Sequence, residues 1–167
     1  MNQAKIVSIC SGIVLLMSLV PSIQAQGNSM DSSKQEAVST SSGTRRVINL
    51  PDHSSKSPFS DAVLVGNTLY LAGRIGIDPK TGKVPAKVED EVKLLLDGFE
   101  AVLRQAGMTM DDLVSVQIFA PDVTLWEAFN AEYVKRFTKD LPARAFLGSG
   151  PLLLGGRFEM MGIAVKR

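Results

Sequence analysis

Apolar positions along the chain follow two different periods, and the change from one to the other marks the elements. "RRVINL" (45–50) reads as a short strand. "DAVLVG" (61–66) and "TLYLAG" (68–73) are compact runs rich in β-branched and aromatic residues on either side of Gly66-Asn67, which predicts two strands joined by a Gly-Asn turn. "IDPKTGK" (77–83) carries Asp-Pro and Thr-Gly turn signals and is a loop. From Val88 to Ala106 the spacing becomes helical, with Val92, Leu95, Phe99, Val102 and Ala106 on one face. Glu89, Asp90 and Glu91 occupy its first turn, where the helix dipole favours acids, and Gly107 ends it. "DLVSVQIFA" (112–120) is the next strand. Thr124-x-x-Glu127 has the form of a capping box, opening a second helix to about Phe137. Its stripe of Trp126, Phe129, Tyr133 and Phe137 is expected to face the core rather than a ligand. Ala143–Gly148 and Arg157–Val165 are strands linked by a Gly/Leu-rich loop. The order β-β-β-α-β-α-β-β predicts an α+β fold, a mixed sheet with two helices on one face.

The first 25 residues have a different character. Lys5 gives a positive start, "IVSICSGIVLLMSLV" an apolar run of about 15 residues, and "SIQA" a small residue at a cleavage point. That is the anatomy of a signal peptide cleaved after Ala25. The run falls short of the roughly 20 residues that span a bilayer, so no stable membrane anchor is expected and the protein is expected to be periplasmic or secreted. Residues 26–44, rich in Ser and Gln without apolar periodicity, are expected to be a flexible linker before the domain at 45–167.

Charge and cysteine content narrow the chemistry. Cys10, the single cysteine, lies inside the apolar run, so the mature chain would contain none. Disulfides, a thiol nucleophile and a zinc–thiolate site are thereby excluded. Residues 1–25 hold one lysine and no acid; without them 17 basic residues face 17 acidic ones. That balance leaves no electrostatic footprint for nucleic acid. His53, the one histidine, sits in the polar loop "LPDHSSKSP" and reads as solvated; no triad or metal site is expected from it. The glycines of 148–156 read as turns, because no Lys-Ser/Thr and no helix follow them.

Arg144 and Glu159 stand out as single charges in two predicted strands. Two readings of them are open. One is a structural salt bridge between neighbouring strands, worth at most about 1 kcal/mol if exposed. The other is functional: a guanidinium fork matches a carboxylate bidentately, and a nearby carboxylate can exchange a proton with water. The pair would then suit a small carboxylate-bearing substrate.

Several stretches in order settle which relatives to consider. "SPFSDAVLVGNTLYLAGRIGIDPKTGKVP", "AVLRQAGMTMDDLVSVQIF", "FNAEYVKRF…LPARAFL" and "FEMMGIAV" resemble the successive motifs of the RidA/YjgF family of enamine/imine deaminases, across roughly residues 45–167. The resemblance implies a chorismate-mutase-like α+β fold and a homotrimer with ligand sites in the clefts between subunits. It also implies hydrolysis of 2-imino or enamino acids to 2-keto acids and ammonia, with no metal or organic cofactor. In that pattern Arg144 binds the substrate carboxylate and Glu159 places the hydrolytic water. The surrounding pocket maps onto Phe59, Ala72, Gly73, Arg74, Gly98 and Phe146. Most of these depart from the pattern: Phe59 replaces a tyrosine, Ala72 a small hydroxyl residue, Arg74 a glutamine, Gly98 an asparagine and Phe146 a cysteine, while Met161 replaces the second acid of the ending. A narrowed substrate range is expected. Arg74 is open between a second positive contact and a residue at the cleft rim. The alternative function is a non-catalytic trimer binding 2-keto acids or a partner. Ribonuclease activity, an older family label, is opposed by the neutral charge and the lack of a basic groove.

Overall fold

The structure, a computed structural model, describes residues 44–167; the expected signal peptide and most of the linker lie outside the described residues. Its elements are β1 (Arg45–Ile48), β2 (Ala62–Val65), β3 (Thr68–Ile75), α1 (Val88–Gln105), β4 (Leu113–Ala120), α2 (Trp126–Tyr133), β5 (Ala143–Gly148) and β6 (Glu159–Val165). The strands form one six-stranded sheet in the order β1-β2-β3-β6-β4-β5. Only β4 and β5 pair in parallel, with α2 as the crossover between them, and the other neighbours are antiparallel. This is the expected α+β architecture with its mixed sheet.

Alternation along the strands separates the two faces of the sheet. Leu69, Leu71, Val116, Ile118, Ala120, Met160 and Ala164 are buried in the core, with the apolar stripe of α1 (Val92, Leu95, Leu96, Phe99, Val102, Leu103). α1 packs on β3 and on α2. The other face has no helix over it, and there Val47, Tyr70, Leu147 and Met161 are each 39–50% exposed.

Long-range contacts moved some boundaries. Among the described residues Glu91 is the one fully buried charged residue, where the pattern shows only a first-turn acid favoured by the helix dipole. Its Oε1 accepts from the backbone N–H of Arg157 (2.7 Å) and of Phe158 (3.3 Å), and its Oε2 from Arg157 Nε (2.6 Å). Because those amides are spent on α1, pairing of β6 begins at Glu159 rather than Arg157. The second helix is also shorter than expected. Asp122 supplies its entry, accepting from the backbone N–H of Thr124 (2.9 Å) and from its hydroxyl (2.6 Å), so the N–H that Glu127 would accept from in a Thr124–Glu127 box is already taken. A 3-10 turn over Val123–Leu125 precedes α2 and another over Val134–Arg136 follows it. Phe129 and Tyr133 enter the core and Phe137 packs against it, but Trp126 stands 47% exposed beside the equally exposed Val123 turn. The core ends one helical turn before the stripe does.

Candidate active site

The site is built around an irregularity in pairing. β3 and β6 run in register from Thr68 to Leu71, then slip before Arg74, which leaves Ala72 and Gly73 in a bulge. Glu159, the first residue of β6, pairs with Ile75 and lies beside that bulge. A Cβ on Gly73 would fall 1.9 Å from Glu159 Oε1, so the carboxylate rests in space that only glycine leaves free. A cavity of about 790 Å³ opens there, with Glu159, Ala72, Gly73 and Arg74 on its wall. Phe59, 57% exposed, and the Leu153-Leu154 pair of the β5–β6 loop give it an apolar rim. Leu154 holds a left-handed backbone (φ 58°), the sole non-glycine residue to do so among the described residues.

Two substituted positions prove to be one feature. Arg74 crosses α1 at Gly98, where a Cβ would lie 2.7 Å from Arg74 Cδ. Beyond that notch Arg74 Nη2 donates to Asp61 Oδ1 at 3.1 Å. Asp61 Oδ2 also accepts from the backbone N–H of Leu50 (2.8 Å) and lies 3.3 Å from His53 Nδ1. His53 is therefore not the solvated loop residue that its polar neighbours predict. Its side chain is 11% exposed, packs edge-on to Phe59, and lines the same cavity as Glu159. The sequence hid this because Asp61 is eight residues away and looks like the first residue of a strand.

Arg144 is elsewhere. In the sheet it pairs with Val116, which pairs with Gly162, whereas Glu159 pairs with Phe119, which pairs with Leu147. Arg144 and Leu147 are an odd number of residues apart on β5, so Arg144 and Glu159 point to opposite faces, with β4 between their strands. The two strands do not adjoin, and a salt bridge within one chain is ruled out. Among the described residues no carboxylate lies within ion-pair distance of Arg144. Its guanidinium instead sits 4.7 Å over the Tyr133 ring, a cation–π contact. Burial pushes the Tyr133 hydroxyl up to about 12, with Arg144 pulling in the other direction. The Tyr133 hydroxyl and Asn130 Oδ1 are buried without a hydrogen-bond partner. These two residues were not singled out from sequence, since the stripe pattern shows only the rings. Phe146 packs on Phe129 and Phe158 (5.9 and 6.4 Å between rings), with its ring toward the core.

The chain thus carries a carboxylate in a cavity and, on the opposite face of the sheet, a cation over an aromatic ring near the β5 edge. Among the described residues, no three His, Cys, Asp or Glu side chains gather as metal ligands.

An α+β domain with one helix-covered mixed sheet, a glutamate seated on a glycine bulge and a strand-borne arginine free of acids defines a narrow class. Residues 51–166 match the family described as Endoribonuclease L-PSP, and the chain belongs to that family, which is the RidA/YjgF family its motifs resemble. A curated relative from Capra hircus, named 2-iminobutanoate/2-iminopropanoate deaminase, is 35% identical over 128 residues, covering 75% of this chain and 93% of its own. The solved YjgF gene product of E. coli is 30% identical with a TM-score of 0.68, covering 73% of this chain and 99% of that one. E. coli TdcF, solved with bound serine, is 25% identical with a TM-score of 0.68 over the same shares.

Proposed function

We propose that the protein hydrolyses reactive 2-imino or enamino acids to 2-keto acids and ammonia, at sites completed between the subunits of a homotrimer. The observation that carries this is the Arg144 guanidinium, held over Tyr133 with no acid among the described residues to neutralise it. A cation fixed but unpaired is a ready receptor for a substrate carboxylate, which it can grip bidentately. The deaminase name of the Capra hircus relative and the serine in the TdcF structure support a small amino-acid-like ligand.

In this scheme Arg144 of one subunit closes the cavity that holds Glu159 of the next. Glu159 orients a water and takes its proton as the oxygen adds to the imine carbon. The resulting carbinolamine loses ammonia as its C–O bond becomes a carbonyl. The imine is already electrophilic, so positioning and charge complementarity supply most of the acceleration. The apolar rim of Phe59, Leu153 and Leu154 favours substrates with apolar side chains. Export to the periplasm or outside the cell, proposed from residues 1–25, is checked by the N-terminal sequence of the protein recovered there.

The test is hydrolysis of imines generated in situ by an amino-acid oxidase. Arg144→Ala should abolish it with little change in melting temperature, and unchanged turnover in that variant overturns the assignment. Because Phe59 and Ala72 bring no hydroxyl to the pocket, a second reading is a trimer that binds 2-keto acids without chemistry. Keto-acid binding with no turnover of any imine would select it.

A further inference from the structure

We propose that His53 is a second catalytic residue of this cavity, a proton-transfer partner to Glu159; the inference rests on the deaminase function proposed above. Three observations converge on it. First, the imidazole is anchored: Nδ1 lies 3.3 Å from Asp61 Oδ2, and the ring packs edge-on to Phe59. Secondly, the anchor is itself immobile. Asp61 is 10% exposed, accepts from the Leu50 N–H and from Arg74 Nη2, and has its own N–H bonded to Asn49 Oδ1 at 3.0 Å. Thirdly, the ring borders the cavity that holds Glu159, and its Nε2 has no partner among the described residues.

A carboxylate beside one imidazole nitrogen holds the ring by charge and leaves the other nitrogen to exchange protons. Orienting acid, imidazole and reacting centre in series is the recurrent geometry of general acid–base catalysis. Arg74 strengthens it by bonding Asp61 Oδ1 at 3.1 Å and so fixing the direction of its side chain. Gly98 allows Arg74 to reach that far. Four positions that look unrelated in sequence, His53, Asp61, Arg74 and Gly98, thus form one connected device, three of them on the cavity wall. The other charged groups lining the cavity are Asp52 and Glu159, both acidic.

The proton count closes over one turnover. As water adds to the imine carbon, Glu159 takes the water proton and the His53 imidazolium gives its Nε2 proton to the imine nitrogen, forming the carbinolamine. In the second step the protonated Glu159 returns its proton to the amine nitrogen, and neutral His53 takes the hydroxyl proton. The C–N bond breaks with its electron pair on departing ammonia, the C=O bond forms, and both side chains regain their starting states.

His53→Gln keeps a neutral polar side chain but cannot shuttle a proton. It should lower kcat about 100-fold, the usual scale of one acid–base group. Binding of 2-oxobutanoate, measured by calorimetry, should stay within about 2-fold, because Arg144 supplies that contact. In His53→Ala, added imidazole should restore part of the lost kcat. Wild-type kcat in His53→Gln overturns the proposal. So does a loss of kcat that comes with equally weakened keto-acid binding and no imidazole rescue, since that marks His53 as part of the wall only. A wild-type protein that hydrolyses no imine overturns the deaminase function as well. Active wild type beside fully active His53→Gln overturns this inference alone.

Discussion

Gly73 and Gly98 each hold a place where a side chain would collide, yet with different neighbours. At Gly73 the obstructed group is the tip of Glu159, a flexible side chain on a partly open surface. Gly73→Ala should therefore leave the fold intact while pushing the carboxylate off its seat. Misplacing a reacting group by about 1 Å can cost on the order of 100-fold, so a 10- to 100-fold loss of kcat with an unchanged melting curve is expected. At Gly98 the obstructed group is the Arg74 stem, and here two small terms compete. Alanine in a helix interior gains up to about 1 kcal/mol over glycine. Displacing Arg74 loses an ion pair whose arginine is 27% exposed, worth well under 1 kcal/mol after solvent screening. Gly98→Ala should raise thermal stability slightly and lower kcat, because Asp61 and through it His53 lose their brace. A fall in melting temperature would show that the ion pair outweighs helix propensity. The sequence made Gly98 and Arg74 visible as departures from the family pattern, and Gly73 as a glycine the pattern keeps. It could not join Arg74 to Gly98, 24 residues apart, because that meeting depends on α1 lying across β3.

At the scale of elements, periodicity located every strand and helix, since each buries one face and needs the matching spacing to do so. The errors fall where an element's end is tied to something distant. Glu91 is the clearest case: the helical pattern places it correctly in the first turn of α1 but cannot foresee its burial against Arg157, 66 residues on. The Arg157 guanidinium also donates to the carbonyls of Pro85, Ala86 and Lys87, so a single side chain ties the start of β6 to the start of α1. That clamp sets where Glu159 begins its strand. Arg157→Met would leave a buried carboxylate with backbone donors only, and such uncompensated charges cost about 3–5 kcal/mol. The expected loss, read from denaturant unfolding, is near the lower end because two amide N–H groups remain. Glu91→Gln, which removes the charge and keeps an acceptor, should cost clearly less. Equal losses in the two variants would mean that the hydrogen bonds, not the charge, dominate.

For the whole molecule the decisive fact is that Arg144 and Glu159 sit on opposite faces of one sheet. Both were legible in the sequence as isolated charges on strands, and the roles proposed for them rest on family resemblance. Their separation was not legible, because it depends on β6 inserting between β3 and β4. The proposed mechanism therefore makes assembly a condition of activity rather than an accompaniment to it. The surface proposed for assembly is the helix-free face, where Val47, Tyr70, Leu147 and Met161 leave apolar area in water. Such exposure on a sheet face marks a contact surface. Tyr70 is the best place to test this. It is half exposed in the middle of that face, paired with Val63 and Ile163, and its removal takes nothing from the core beneath α1. Tyr70→Glu should give a folded monomer by light scattering and circular dichroism, with imine hydrolysis lost although Arg144 and Glu159 are untouched. A trimer that survives the substitution would place the interface elsewhere. A monomer that retains full activity would mean that Arg144 is not needed opposite Glu159, and the shared site would have to be abandoned.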